Sequence, residues 1–172
     1  MRLSLCGVLA ATLFSLSAPA TAQAPFNVFG LMDGSQAVPP TTSAANGIFA
    51  QAHIPLPFGQ WMGAGFASVI GLQTSALDVT HGANNTAMHI HAGAPGSAGP
   101  LVFDADYWGV KYDYSGGYVM LIVGFYTQYQ GAHNMGMTTS QLINTVQSGD
   151  VFFNVHTLTH RTGEIRADLQ VL

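Results

Sequence analysis

The chain has 172 residues, of which four are Lys or Arg and eight are Asp or Glu, giving a formal net charge of -4 at pH 7. So few basic residues exclude a nucleic-acid-binding surface, and a hydrophobic content of 48% with this small net charge excludes an intrinsically disordered chain. The length suits one compact domain. The only cysteine, Cys6, lies in an N-terminal apolar run, so any metal bound beyond that run must use His, carboxylate or Met ligands.

Residues 1–22 have the pattern of a secretory signal peptide: a positive residue near the start, an apolar stretch, and the small-x-small sequence Ala20-Thr21-Ala22. The apolar stretch is too short for a transmembrane helix. We therefore expect cleavage after Ala22 and export to the periplasm or the extracellular space, with no integral membrane segment after processing. The mature chain, residues 23–172, keeps three basic and eight acidic residues, which gives a net charge of -5.

Beyond residue 25, short apolar or alternating runs are separated by Gly, Pro, Asn and Ser, which predicts antiparallel strands joined by turns. Eight strands are predicted, at residues 26–32, 47–54, 62–72, 87–91, 101–103, 118–126, 151–157 and 164–171. Their spacing, without alternating helices, favours an all-β fold, an antiparallel Greek-key sandwich or barrel.

One short helix is predicted at residues 139–148. Thr138 can cap it together with Gln141, and Gly149 can end it. The segment 104–117 is rich in Tyr, Trp, Gly and Asp and is predicted to be a long loop or an irregular hairpin. It could serve either as a packed loop or as a platform for a carbohydrate or other ligand.

The sequence His89-Ile90-His91 is the first indication of a metal site. Successive side chains on a strand point to opposite faces, so His89 and His91 project together while Ile90 points into the core. Their Cα atoms are roughly 7 Å apart, which lets both imidazoles reach one ion. The alternative is that each histidine only satisfies local hydrogen bonds.

A third histidine lies at the end of the strand at residues 151–157. Val151, Phe153 and Val155 share one face of that strand, so His156 lies on the opposite face. If the two strands are neighbours, His89, His91 and His156 form a three-imidazole site with an open position for water or substrate, and His160 is a candidate fourth ligand. Such a site suits copper, with zinc as the alternative, because Mg and Ca prefer clustered carboxylates.

Two further features bear on this site. Two of the three mature basic residues, Arg161 and Arg166, follow His156 closely, and a guanidinium there could attract a small anion or orient a ligand. Arg166 could equally form a surface pair with Glu164. The segment 133–137 contains one His and two Met residues, a soft ligand set that suits Cu(I).

Three segments of the chain resemble the CHRD domain family, which is named after chordin and is widespread in exported microbial proteins. They are Gly34-Ser35-Gln36-Ala37-Val38-Pro39-Pro40, His89-Ile90-His91-Ala92-Gly93-Ala94-Pro95-Gly96, and Asn154-Val155-His156-Thr157 followed by Gly163-Glu164-Ile165-Arg166. The resemblance covers nearly the whole mature chain and implies a single exported all-β domain at residues 23–172. Ala37 and Ala167 depart from the family pattern, where Glu and Gly are frequent. The resemblance does not by itself define a biochemical activity.

The chain is also similar, more weakly, to copper-zinc superoxide dismutases, which place a His-x-His on a Greek-key strand and an Arg beside the copper. That similarity implies superoxide dismutation, with Arg166 or Arg161 attracting the anion. The disulfide cysteines of those enzymes are missing here. Leu101 also stands at a position where those enzymes have a metal ligand. Two hypotheses result: an exported protein that binds copper or zinc, with superoxide dismutation as its most concrete enzymatic form, or a non-catalytic extracellular binding or matrix module.

Overall fold

The computed structural model describes residues 23–72, 87–105, 109–114, 117–126 and 137–172. Within these ranges the α-helix α1 spans Thr139–Gln147, and short 3-10 turns at Gly34–Gln36 and Pro57–Gly59 precede β2 and β3. The ten strands are β1 (Phe26–Asp33), β2 (Asn46–Pro55), β3 (Trp61–Ile70), β4 (Met88–Ala92), β5 (Leu101–Asp104), β6 (Gly109–Tyr114), β7 (Gly117–Phe125), β8 (Val151–Val155), β9 (Ile165–Asp168) and β10 (Gln170–Val171).

The strands form one antiparallel sheet in the order β5-β4-β8-β9-β1-β2-β3-β7-β6, with β10 also paired to β1. The two strands at the ends of this order, β5 and β6, are consecutive in the chain. Five Cα steps join Asp104 to Gly109 and span at most about 18 Å, so the sheet must curl until its ends approach each other. The predicted all-β antiparallel fold is confirmed.

The core lies inside the curled sheet. Phe49 on β2 and Phe153 on β8 are fully buried, and their rings stack with centroids 4.6 Å apart. Because β9 and β1 lie between these strands in the sheet order, this contact places β2 and β8 opposite each other across the core. Three residues of α1, namely Leu142, Ile143 and Val146, are buried against the same core.

The predicted helix is confirmed together with its cap. The Thr138 hydroxyl accepts the Gln141 N–H at 3.2 Å, and the Gln141 side-chain oxygen accepts the Thr138 N–H at 2.7 Å. Such a cap stabilises a helix by about 1 kcal/mol. Gly149 follows with φ of 78°, a left-handed conformation that favours glycine and ends the helix at the predicted place.

Two strands differ from the prediction. The segment 104–117, predicted to be a loop or irregular hairpin, contains β6, which pairs with β7 along its full length. Its Gly, Asp and Tyr content is typical of loops, but the exposed hydrogen-bonding edge of β7 gives the segment a partner. The run at residues 164–171 is divided into β9 and β10, because Leu169 between them is buried and its N–H donates to the Val151 carbonyl at 3.0 Å.

Within the described ranges, no helix is long and apolar enough to cross a membrane. The predicted signal peptide, residues 1–22, lies outside the described residues, as do His81 and most of the His-Met segment 133–137. Of that segment the structure describes Met137, which packs against the core.

Candidate metal centre

Strands β4 and β8 are direct neighbours, as the sequence hypothesis of a shared site requires. Their antiparallel register places His89 opposite Asn154 and His91 opposite Phe152. His156 follows the last residue of β8 and continues the alignment, since its N–H donates to the Ala87 carbonyl at 2.7 Å. Cross-strand partners project to the same side of a sheet, so all three histidines lie on the face that points away from the core.

The three imidazoles converge. The ring centroids of His89 and His156 are 4.9 Å apart, those of His89 and His91 are 5.6 Å apart, and those of His91 and His156 are 5.9 Å apart. One nitrogen from each ring lies within 4.8 Å of the other two. His89 and His156 are buried and His91 is half-buried, so the cluster has one partly open side.

Two backbone carbonyls fix the orientation and tautomer of two of the rings. Nδ1 of His91 lies 3.0 Å from the Gly99 carbonyl oxygen, and Nδ1 of His156 lies 3.0 Å from the Arg161 carbonyl oxygen. A carbonyl oxygen can only accept, so each Nδ1 carries the proton and donates it. Nε2 of each ring therefore keeps its lone pair, which is the arrangement of a metal-ligating histidine.

Glycine is required for the first of these anchors. A Cβ at Gly99 would overlap the carbonyl oxygen of Ala92, so only glycine lets the loop after β4 return this close to its own strand. Ala92 in turn donates its N–H to the Pro100 carbonyl at 3.0 Å. This tight return holds the Gly99 carbonyl against His91.

The donor set fits a borderline transition metal. It consists of three neutral imidazole nitrogens, and among the described residues no carboxylate belongs to the cluster. Cu(II) and Zn(II) take such ligands, whereas Mg and Ca prefer oxygen donors. Three protein ligands leave a coordination position for water or a small ligand.

A cavity of about 300 Å³ adjoins the open side of the cluster. His91 and His156 line it on one side, and Asn154, Phe152, Arg161 and Arg166 complete most of its wall. The Phe152 ring stacks on His91 with centroids 5.0 Å apart and planes 5° apart, which restricts the imidazole further. A small molecule in this cavity would contact the edges of two of the histidines.

Arg166, singled out from the sequence as a group that could act on an anion, is only 1% exposed, and its guanidinium is engaged on several sides. Nε donates to Asp168 at 2.6 Å, and the terminal nitrogens donate to the carbonyls of Ser97 at 2.5 Å and Ala94 at 3.2 Å. The guanidinium also lies 3.5 Å above the Phe152 ring. Through these hydrogen bonds Arg166 connects the loop that carries Gly99 to strand β9.

Arg161, unlike Arg166, is exposed. Its carbonyl orients His156, the residue lines the cavity, and its side chain is exposed. Among the residues that the structure describes, its guanidinium forms no hydrogen bond or ion pair. Its charge is therefore available to a ligand in the cavity.

His160, the candidate fourth ligand, lies in the loop after β8. Its backbone exchanges hydrogen bonds with the backbone of Thr157, at 3.1 and 3.2 Å. The cluster that the described residues form contains His89, His91 and His156, and His160 is not among its members.

Sequence reasoning missed the structural role of Glu164, which is fully buried and connects three segments of the chain by hydrogen bonds. Its carboxylate accepts the hydroxyls of Ser43 and Thr157, each at 2.7 Å, and its carbonyl accepts the Thr41 hydroxyl at 2.7 Å. These bonds tie the segment before β2 to β9 and to the residue after His156. The sequence suggested a surface pair of Glu164 with Arg166, but Arg166 pairs with Asp168, and the buried carboxylate of Glu164 bonds to hydroxyls instead.

His53 is a second feature that the sequence did not distinguish. It is buried on β2, bonds through Nδ1 to the Tyr126 hydroxyl, and stacks on Phe26 with ring centroids 4.7 Å apart. Burial lowers the pKa of His53 to about 4. It is therefore a neutral core histidine at pH 7 and is not a member of the metal cluster.

The three segments that carried the family resemblance meet at this site. Gln36, from the first segment, accepts the Asp168 N–H at 3.1 Å beside Arg166. A family model described as the CHRD domain matches residues 29–169. Searches of curated proteins and of solved structures found no match. Because the family match covers well over half of its length, the chain belongs to the CHRD domain family.

Proposed function

We propose that this CHRD domain is an exported copper-binding protein, with zinc as the alternative metal, and that His89, His91 and His156 are the ligands. The convergence of one nitrogen from each imidazole within 4.8 Å carries the proposal. The hydrogen bonds from Nδ1 of His91 and His156 to backbone carbonyls support it, because they direct the opposite ring nitrogens to a ligand. His160 or a water molecule would fill the fourth position.

The surrounding residues would hold this ligand set rigidly. Phe152 restrains His91 by stacking, and Arg166 restrains Phe152 and the loop that carries Gly99. Copper, when bound, supplies one-electron chemistry by alternating between Cu(II) and Cu(I). Rigid imidazole ligands suit such alternation because they lower the reorganisation that accompanies each electron transfer.

Superoxide dismutation is the most concrete enzymatic form of this function. The open side of the cluster and the adjoining cavity would admit a small anion, and the weaker similarity to copper-zinc superoxide dismutases points the same way. Of the two arginines, Arg161 suits attraction of the anion, because it lines the cavity and its side chain is exposed, and Arg166 suits positioning. The mature net charge of -5 opposes approach, so any attraction must be local.

The second candidate is a non-catalytic extracellular binding or matrix module. It is favoured by the bonds of Arg166 and Glu164, which show that the family segments also fasten loops to strands. In this case the histidine cluster would contribute to structure alone, and loss of one imidazole would change stability without changing metal content.

Copper titration of protein purified without a histidine tag, followed by electron paramagnetic resonance, tests the proposal. We expect one equivalent of Cu(II) with nitrogen hyperfine structure, and binding that weakens as the pH falls because protons compete for the imidazoles. His89→Ala and His156→Ala should each remove that structure or weaken binding strongly. His160→Ala distinguishes a fourth histidine from water. Unchanged copper binding in folded His89→Ala and His156→Ala proteins would refute the site.

A further inference from the structure

Asn154 is a strand neighbour of all three histidines of the cluster. It is the register partner of His89 on β4, and it precedes His156 by two residues on the same face of β8. The adjacent row of the sheet pairs His91 with Phe152, so His91 is the diagonal neighbour of Asn154. Opposite residues on one face have Cβ atoms about 4.5–5.5 Å apart, and diagonal residues are about 7–8 Å apart. The amide of Asn154 therefore lies among the three imidazoles on the outer face of the sheet.

The loop between β8 and β9 fixes one end of this amide. Nδ2 of Asn154 donates to the Thr162 carbonyl at 3.2 Å. A carbonyl oxygen can only accept, so this contact identifies the NH₂ end of the amide and leaves Oδ1 at the other end. Gly163 packs so closely that a Cβ at this position would overlap both Oδ1 and Nδ2. The orientation of the amide is therefore set by its surroundings.

Oδ1 of Asn154 is a buried acceptor for which the described part of the chain supplies no donor. Asn154 is 6% exposed, and among the described residues no group donates a hydrogen bond to Oδ1. Buried polar atoms almost always have a hydrogen-bond partner, because leaving one unpaired is costly. Asn154 also lines the cavity together with His91 and His156. We therefore expect the donor to belong to a ligand at the histidine cluster.

The chemistry of the ligand set favours a hydrogen bond over a direct bond from Oδ1 to the metal. Carbonyl oxygens suit Mg, Ca and Mn, whereas Cu(II) and Zn(II) prefer imidazole. Three imidazoles leave a coordination position for water. Water bound to a divalent ion becomes more acidic and is therefore a stronger hydrogen-bond donor. A neutral amide oxygen beside the cluster is a suitable acceptor for it.

We propose that Asn154 is a specificity-determining residue that accepts a hydrogen bond from the ligand in the fourth coordination position. The inference rests on the proposed metal site and adds which ligands that site selects. Water and other small ligands that carry a proton on the coordinating atom satisfy Oδ1. Azide, an anion without a proton, displaces the water and leaves Oδ1 unpaired. A site that hydrogen-bonds one ligand rejects an analogue that lacks the required group.

Azide titration of copper-loaded variants tests this role, after the Cu(II) affinity of each variant has been measured. Asn154→Leu removes the acceptor and keeps a side chain that branches at Cγ. It should bind azide roughly tenfold more tightly than wild type, with less than about a tenfold change in Cu(II) affinity. A merely structural defect would disorder the site and weaken azide binding, so tighter binding is specific to the proposed role.

Two further variants accompany this one. Gly163→Ala would displace the amide without changing its chemistry and should also tighten azide binding, which keeps the test decisive if Asn154→Leu does not fold. Asn46→Leu is the matched control, because it makes the same change at an exposed amide on β2 and should bind azide as wild type does. Circular dichroism verifies that each variant is folded.

Azide binding that is unchanged or weaker in the folded variants of Asn154 and Gly163 would overturn the proposal. A loss of Cu(II) affinity of more than about tenfold in Asn154→Leu would also overturn it, because Asn154 would then act as a ligand or as a support of the ligands. Both results would leave the three-histidine site intact. Wild-type protein that binds no copper would refute that site and this inference together, so the two failures are distinguishable.

Discussion

His156 and Arg161 are joined by a hydrogen bond from Nδ1 of the imidazole to the main-chain carbonyl of the arginine, 3.0 Å long. The backbone of Arg161 thus orients a proposed metal ligand, while the residue lines the cavity beside that ligand and its side chain is exposed. Replacing the side chain leaves the carbonyl in place. The orienting role and the charge of this residue can therefore be separated experimentally.

Arg161→Gln should leave the Cu(II) affinity unchanged and weaken the binding of azide, a monoanionic probe, to the copper-loaded protein by roughly fivefold. That factor corresponds to about 1 kcal/mol, typical of one exposed charge pair. Arg161→Lys retains the charge and should retain most of the azide affinity. The azide charge-transfer absorbance gives the dissociation constant, and added salt should reduce the difference between variants. Equal azide binding in wild type and Arg161→Gln would exclude Arg161 from anion recognition.

Gly99→Ala should weaken Cu(II) binding by about 10- to 100-fold, the usual cost of losing a group that orients a metal ligand. The added Cβ would overlap the Ala92 carbonyl and displace the Gly99 carbonyl from His91. Gly96→Ala is the matched control in the same loop, because Gly96 has φ of 75° but nothing lies within 4 Å of its added Cβ. We expect that control to lose stability from backbone strain and to keep its copper affinity, as measured by competition with a chelator of known affinity.

Glu164→Gln should destabilise the fold by about 1–3 kcal/mol, because one of its two hydroxyl donors, on Ser43 or on buried Thr157, would then face an amide NH₂. Ser43→Ala removes only one of these hydrogen bonds and should cost about 1 kcal/mol. Urea denaturation measures both changes. A Glu164→Gln protein as stable as wild type would show that the carboxylate does not fasten the segment before β2.

Stability should fall as the pH decreases from about 6.5 to about 4 because of His53. Burial lowers the pKa of this imidazole to about 4 in the folded protein, whereas the unfolded chain has an ordinary value of about 6.5. The unfolded state therefore takes up a proton first, so the contribution is complete above pH 6.5 and is lost as the pH falls through this window. The difference corresponds to about 3 kcal/mol.

His53→Phe removes the titrating group and keeps a ring that can stack on Phe26. Urea denaturation at several pH values should give a smaller loss of stability between pH 6.5 and 4 for this variant than for wild type. Parallel pH profiles of the two proteins would contradict the assignment.

The arrangement of the three histidines could be predicted because it depends on local alternation and on one strand pairing. His89 and His91 share a face by the two-residue period, and the apolar stripe ending at Val155 oriented His156. The burial of Arg166 could not be predicted, since its partners Ala94 and Ser97 are about 70 residues away in sequence. The hydrogen bonds from Nδ1 of His91 and His156 to the Gly99 and Arg161 carbonyls could not be predicted either, because every residue has a backbone carbonyl.

Strand β6 was missed for a related reason. Its composition is typical of a loop, and only the free edge of β7 stabilises it as a strand. The hydrogen bond that Glu164 accepts from Ser43 likewise joins residues more than 100 positions apart in sequence. Sequence periodicity therefore located the inner and outer faces of strands, whereas long-range polar contacts required the folded chain.

The stacking of Phe49 on Phe153 places β2 and β8 on opposite sides of the core. The histidines lie on the outer side of β4 and β8, so β8 packs in the core through Phe153 and carries candidate site residues on its other face. A substitution at Phe49 that shifts β8 would also move Asn154 and His156. The metal affinity of the cluster would therefore report on how tightly the protein interior is packed.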